Sequence, residues 1–375
     1  MLPYGRQSIE SDDIAAVEAA LRSDWLTTGP EVDRFEAAIA ERAGVEHAVS
    51  VTSGTAALHV AYAAAGIEPG DEVVTTPLTF VATAAGAALH GAKIVFADVD
   101  PATGNLDPAA VEAAVTERTK VIAGVDYAGV PVDGTALREI ASRQGALFLE
   151  DAAHSIGSTQ DGAPVGSLAD LTTYSFFPTK NLTTAEGGAV VTADADLAAR
   201  ARAFKNHGLV RDKAVQRFPD EGPWHQEVHS FGLNYRLPDV LCALGTSQLA
   251  RLDAFVARRA EVKKAYDEAL GDLEGVDIPA VPEGAAPAWH LYPLRVPAER
   301  RRAIFEAMRE QGIGVQVNYI PAYWHPVFED LGYQRGMCPV AEDYYRREIS
   351  LPMFPGLTDQ DVERVIEVTR KVVAG

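Results

Sequence analysis

A chain of 375 residues exceeds one ordinary domain, so two lobes sharing a core are expected. With 47% apolar and 23% charged residues it has the composition of a soluble globular protein, and no apolar run is long and charge-free enough to span a bilayer. The formal net charge of −20 excludes nucleic acid and anionic membrane surfaces as natural partners, because a phosphate backbone requires a basic face. The start, MLPYGRQSIE, lacks the basic and apolar stretches of a signal peptide. Cys242 and Cys338 stand alone, outside any metal-ligand spacing, so no metal site and a cytoplasmic home are expected.

Along the first two-thirds, short β-branched runs alternate with alanine-rich helical stretches. The predicted strands are His47–Val51, Glu72–Thr76, Ile94–Ala97, Val121–Val125, Leu147–Glu150, Leu171–Phe176 and Ala189–Thr192. Predicted helices between them include Ala56–Ala65, Leu78–Leu89 and Ala136–Arg143. This rhythm indicates a mostly parallel sheet wrapped by helices, whose ligand sits beyond the carboxyl ends of the strands. From Pro238 the pattern changes. Asp239–Leu270 predicts one long helix, and after the Pro/Gly/Ala-rich stretch Gly275–Pro287 a smaller α+β unit runs to the end. The expected division is a large ligand-binding domain over 1–240 and a linking helix with a small domain over 241–375.

Three segments that follow strands carry chemistry. Thr52-Ser53-Gly54-Thr55 opens a helix, where free amides, two hydroxyls and a glycine make a phosphate cradle; an ordinary N-cap accounts for the same residues. Asp151 follows the apolar run Ala146–Leu149, placed either for catalysis or to cap the next helix. His154, one turn on, is either structural or within reach of a ring substituent. Lys180 lies between the apolar, proline-bearing Ser175-Phe176-Phe177-Pro178-Thr179 and the turn Glu186-Gly187-Gly188. Most lysines are solvated, but a desolvated one has a lowered pKa and an amine free for a Schiff base. Together these complement one cofactor: phosphate for Ser53, Gly54, Thr55 and Ser175, ring nitrogen for Asp151, aldehyde for Lys180.

The whole chain resembles the DegT/DnrJ/EryC1/StrS family of sugar aminotransferases, which have the type I pyridoxal-phosphate fold. The matching segments are Ser23–Pro30, Ser53–Leu58, Gly70–Val73, Glu150–His154, Lys180 with Glu186-Gly187-Gly188, and Asn234-Tyr235-Arg236. The resemblance implies a mostly parallel seven-stranded sheet in the large domain, with pyridoxal 5'-phosphate as the cofactor. It makes Lys180 the Schiff-base lysine and proton shuttle, and sets Asp151 against the pyridine nitrogen. It puts His154 near the phenolic oxygen, Phe80 on the ring face, and Thr55, Ala56 and Ser175 on the phosphate. Asn234 would reach the phosphate of a second subunit, so a homodimer with shared sites is implied. Thr28, Arg236, Tyr319 and His325 are substrate candidates. Arg236 serves either the glutamate carboxylate, the sugar diphosphate or an interface ion pair, and Tyr319 and His325 are equally explained by packing.

Within the family, Pro3–Ile9, Gly314–Pro321 and Ile349–Leu357 are similar to a subgroup that aminates C4 of a UDP-linked 4-keto-6-deoxy-N-acetylhexosamine on the pseudaminic acid route. The expected reaction therefore moves the amino group of L-glutamate onto a nucleotide-linked keto sugar by a ping-pong route. Asn318, Trp324-His325-Pro326 and Phe177 depart from that subgroup. Three rivals are weighed. A sugar dehydratase keeps the cofactor but usually replaces the lysine by histidine, and Lys180 is present. A nicotinamide-dependent dehydrogenase lacks its Gly-x-Gly-x-x-Gly after the first strand. A ligand sensor on this fold has no output domain attached.

Overall fold

The computed structural model describes residues 1–375 and places the seven predicted strands in one sheet. These are β1 (His47–Val51), β2 (Glu72–Thr75), β3 (Lys93–Phe96), β4 (Thr119–Val125), β5 (Leu147–Asp151), β6 (Leu171–Ser175) and β7 (Gly188–Thr192). Their spatial order is β1-β7-β6-β5-β4-β2-β3. Only β7 runs against its neighbours; the other pairings are parallel. Valine- and alanine-rich strands buried on both faces are what a helix-covered parallel sheet requires. One face packs Ala57, Val60, Ala61 and Leu197 of the helices Gly54–Ala64 and Ala195–Lys205. The other packs Phe35 and Ile39 of Pro30–Ala43 and Leu137 and Ile140 of Gly134–Gln144. In register, Val125 of β4 lies beside Asp151 of β5, and Asp151 beside Thr173 of β6. The carboxyl ends of the central strands thus converge on Asp151.

The C-terminal part builds its own core around the antiparallel pair Tyr292–Arg295 and Glu348–Leu351, using Val262, Tyr266, Met308 and Val365. Tyr323, Phe328 and Tyr344 instead join the core of the large sheet. The two parts are therefore interlocked and not merely adjacent.

Two helix predictions need correction. The stretch expected as one helix, Asp239–Leu270, is two, Asp239–Leu249 and Leu252–Leu270, bent by 57°. The cause is remote in sequence: buried Asp13 accepts from Ser247 Oγ at 2.7 Å and Gln248 Nε2 at 2.8 Å and pairs with Arg251, so the break is pulled onto the first helix. No single helix is long and apolar enough to cross a membrane; this bent pair alone passes jointly on length and composition. The second correction concerns Leu78–Leu89, of which only Ala82–Ala88 is helical. Side-chain bonds hold its start as a loop, with Leu78 N donating to Thr76 Oγ1 at 3.0 Å.

Candidate active site

Asp151 ends β5 with 4% of its surface exposed. Its Oδ2 accepts from Thr83 Oγ1 at 2.7 Å and its Oδ1 from the Ala153 amide at 3.2 Å, and no cation pairs with it within 4 Å. Burial raises its pKa, opposed by those two hydrogen bonds and by nearby Lys180. Lys180 makes no side-chain hydrogen bond or ion pair. Enclosure by protein pushes its amine down to about 8, with Asp151 pulling the other way. Both groups line one cavity of about 620 Å³, together with Ser53, Gly54, Thr55, Phe80, His154, Ser175 and Tyr319. An acceptor-rich floor and a free amine thus open into the same space.

The Gly54–Ala64 helix begins beside this cavity, and its N-cap Ser53 Oγ accepts from Ala56 N at 3.0 Å. The Gly54 and Thr55 amides are left as first-turn donors with no partner in a preceding turn. A Cβ on Gly54 would stand 2.7 Å from Ser175 Cβ, so glycine lets β6 and the helix start close on one another. Ala56 itself is buried, does not line the cavity, and spends its amide on Ser53.

His154 is 5% exposed; its Nε2 meets Tyr319 Oη at 3.1 Å and its Nδ1 has no partner. Burial first, then Lys180, hold its pKa well below that of a free imidazole, so the ring is neutral. Phe80, exposed at the cavity mouth, meets Tyr319 edge-on at 6.2 Å between centroids. Among the lining residues that sequence reasoning missed, His290, Tyr4 and Thr83 carry polar groups into the wall. His290 packs on His154 at 4.4 Å between ring centroids, and its own Nδ1 is unpartnered. Tyr4 lines the wall and accepts from Asn318 Nδ2 at 2.9 Å. Thr83 was legible only as a hydroxyl one turn after Thr79 in an alanine-rich run; His290, inside Ala288-Trp289-His290-Leu291, offers no local signal.

Besides Ala56, four expected residues lie outside the cavity. Thr28 and Arg236 line a separate cleft with Trp25, Arg202, Lys205 and Asn206, where Arg236 donates to Asn206 Oδ1 at 2.6 Å. Asn234 is exposed and bridges to Asn206 through the backbone. His325 caps the short helix Pro326–Glu329, its carbonyl accepting from Phe328 N at 2.9 Å, so the single chain gives it no place at the site.

The cavity fits the expected cofactor: a helix start that a single added Cβ would block, a buried carboxylate awaiting a cation, an open imidazole nitrogen and an unpaired amine. Comparison with known proteins agrees. Residues 7–370 match the model of the DegT/DnrJ/EryC1/StrS aminotransferase family. The spore coat polysaccharide biosynthesis protein SpsC of Bacillus subtilis is 41% identical over 380 residues, which cover 100% of this chain and 97% of that protein. Helicobacter pylori PseC, an aminotransferase involved in the biosynthesis of pseudoaminic acid, superposes with a TM-score of 0.93 at 32% identity, covering 100% of this chain and 99% of PseC. Spr1654 of Streptococcus pneumoniae, solved in PMP and PLP forms, reaches a TM-score of 0.94 in the PMP form at 28% identity, with 100% and 99% coverage. The chain therefore belongs to the DegT/DnrJ/EryC1/StrS aminotransferase family and is a pyridoxal-phosphate-dependent sugar aminotransferase of the type I fold.

Proposed function

We propose that this enzyme moves the amino group of L-glutamate onto the keto carbon of a nucleotide-linked 4-keto-6-deoxy sugar, with a UDP-linked N-acetylhexosamine as the substrate of choice. The observation that carries the amino-transfer chemistry is a lysine amine without an ion-pair partner, its pKa pushed down to about 8 by burial, sharing one cavity with a buried unpaired carboxylate. Similarity to PseC and SpsC supports the sugar class. Ser53, Gly54, Thr55 and Ser175 would hold the phosphate, Asp151 the ring nitrogen, Phe80 the ring face, His154 the phenolic side and Lys180 the aldehyde carbon. When bound, pyridoxal phosphate supplies an electron sink conjugated with the carbon that loses its proton.

The chain's residues do the rest. Asp151, ionised, keeps a proton on the ring nitrogen. Lys180 Nζ takes the proton from the α-carbon of glutamate and, in the second half-reaction, delivers one to C4 of the sugar. His154, neutral and tied to Tyr319, accepts or donates one hydrogen bond without adding charge. Lys180 is the only lysine or arginine on the cavity wall, too few donors for a phosphate, two carboxylates and a diphosphate. That shortage supports a homodimer in which Asn234 of each subunit serves the other's phosphate and Arg236 the other's substrate.

Visible absorption of the cofactor-loaded enzyme tests this. Glutamate alone should abolish the band and release stoichiometric 2-oxoglutarate, and the UDP-linked 4-keto sugar should restore the band. Release of 2-oxoglutarate only in the presence of sugar would reject two separate half-reactions. Loss without return would reject this sugar, and no response would reject glutamate as donor.

A further inference from the structure

The carboxylate of Asp151 is reached by a chain of hydroxyls. Thr83 Oγ1 lies 2.7 Å from Asp151 Oδ2 and 2.8 Å from Thr79 Oγ1, and 3.4 Å from the Phe80 carbonyl. All three side chains are buried, with 3%, 1% and 4% of the surface of Thr79, Thr83 and Asp151 exposed. A threonine hydroxyl has one hydrogen. The charge-assisted bond to the carboxylate is the shorter and stronger, so Thr83 gives its hydrogen to Asp151 and accepts from Thr79. The relay therefore has a direction, Thr79 to Thr83 to Asp151. Its middle member is anchored from behind, because the buried phenol of Tyr62 donates to the Thr83 carbonyl at 2.9 Å. The same short loop carries Phe80 between the two threonines.

We infer that Thr83, polarised by Thr79, is a positioning residue that keeps Asp151 ionised and aimed at the cofactor's ring nitrogen. This rests on the reading of Asp151 as that nitrogen's partner. The physical case is a balance. Burial favours the protonated acid, which cannot hold a pyridinium, and hydrogen bonds to the carboxylate favour the charged form. Asp151 has only two such donors, Thr83 Oγ1 and the Ala153 amide at the longer 3.2 Å. A donor that itself accepts a hydrogen bond is the stronger for it. Removing the hydroxyl leaves the carboxylate with one weak donor in a dry site, moves the shared proton toward the acid, and frees the side chain to turn. The loop then couples two functions, since the turn that presents the Phe80 ring also sets the charge of Asp151.

The test uses the cofactor-loaded enzyme and four variants, Thr83→Val, Thr83→Ser, Thr79→Val and Asp151→Asn. Two readouts are followed: the pH midpoint of the visible absorption, and the single-turnover rate with glutamate. Thr83→Val should move the midpoint to higher pH, because a ring nitrogen that has lost part of its proton withdraws fewer electrons from the atoms conjugated with it. The saturating rate should fall about 10- to 100-fold, as expected for one charge-assisted hydrogen bond, with the glutamate dissociation constant unchanged. Thr83→Ser should restore both readouts, which lost packing alone would not, and Thr79→Val should shift the midpoint the same way by less. An unshifted midpoint in Thr83→Val, with Asp151→Asn impaired, overturns the inference and leaves the role of Asp151 standing. If Asp151→Asn itself is unimpaired, the reading of Asp151 falls first. Should Thr83→Val fail to fold, Thr79→Val decides, and no shift there overturns the relay.

Discussion

Lys180 shows what enclosure does to a single residue. A free lysine holds its proton to about pH 10.4; here burial brings the amine to about 8. Attachment of pyridoxal phosphate to the apoprotein should therefore accelerate with rising pH through a midpoint near 8, and Lys180→Ala should show no such phase while still binding the cofactor non-covalently. The linkage to stability has a definite sign. Below pH 8 both folded and unfolded chains carry the proton, and the folded state bears the full cost of an enclosed charge. Between about 8 and 10.4 the unfolded chain binds more protons, so stability of the apoprotein rises with pH across that window. Stopped-flow absorbance and thermal melts at several pH values check both, and a midpoint near 10 would contradict the enclosed amine. Asp151, Lys180, Ser53 and Ser175 were legible in the sequence because each falls at the end of a strand, in the segment that follows one, or at a helix start. His290 was not, because it reaches the cavity from the other end of the chain, against His154.

At the scale of elements, the helix Gly54–Ala64 and strand β6 meet so closely that only glycine fits between them. Gly54→Ala would place a methyl 2.7 Å from Ser175 Cβ and push the helix start away from the phosphate position. Cofactor affinity should fall by at least about tenfold, equivalent to roughly 1.4 kcal/mol, in a fluorescence titration of the apoprotein. Affinity equal to wild type would remove the phosphate from this helix start. The periodic segments were predictable because their signal is local: the β-branched runs lie within two residues of the seven strands. The break after Leu249 was not, because nothing between Asp239 and Leu270 forbids one helix. Asp13, 238 residues from Arg251, decides it.

For the whole molecule, exposed aromatics stand out. Trp224 and Phe231 are 79% and 97% exposed on the arm between Asn206 and Asn234, whose residues Leu209–Val210 and Glu227–Val228 pair as a small ribbon. Large apolar groups this open to water fit the proposed dimer, in which a partner surface would cover them. A second copy is the occupant consistent with a cavity short of basic donors. Sedimentation should show a dimer, and Trp224→Ser combined with Phe231→Ser should give monomers with weakened cofactor affinity. A wild-type monomer with full turnover would overturn the shared site.

The sequence by itself determined the alternation of strands and helices, and with it the sheet whose strand ends bear Asp151 and Ser175, because burial periodicity and helix-start chemistry act over a few residues. The motifs around Ser53, Asp151 and Lys180 carried the cofactor as well. The tertiary structure alone decided how those ends are tuned: the Thr79–Thr83 relay onto Asp151, the packing of His290 against His154, and the placement of Arg236 and Asn234 away from their own cavity. Those outcomes depend on dielectric, on hydrogen-bond partners and on contacts between segments far apart in the chain, and none of these has a local signature.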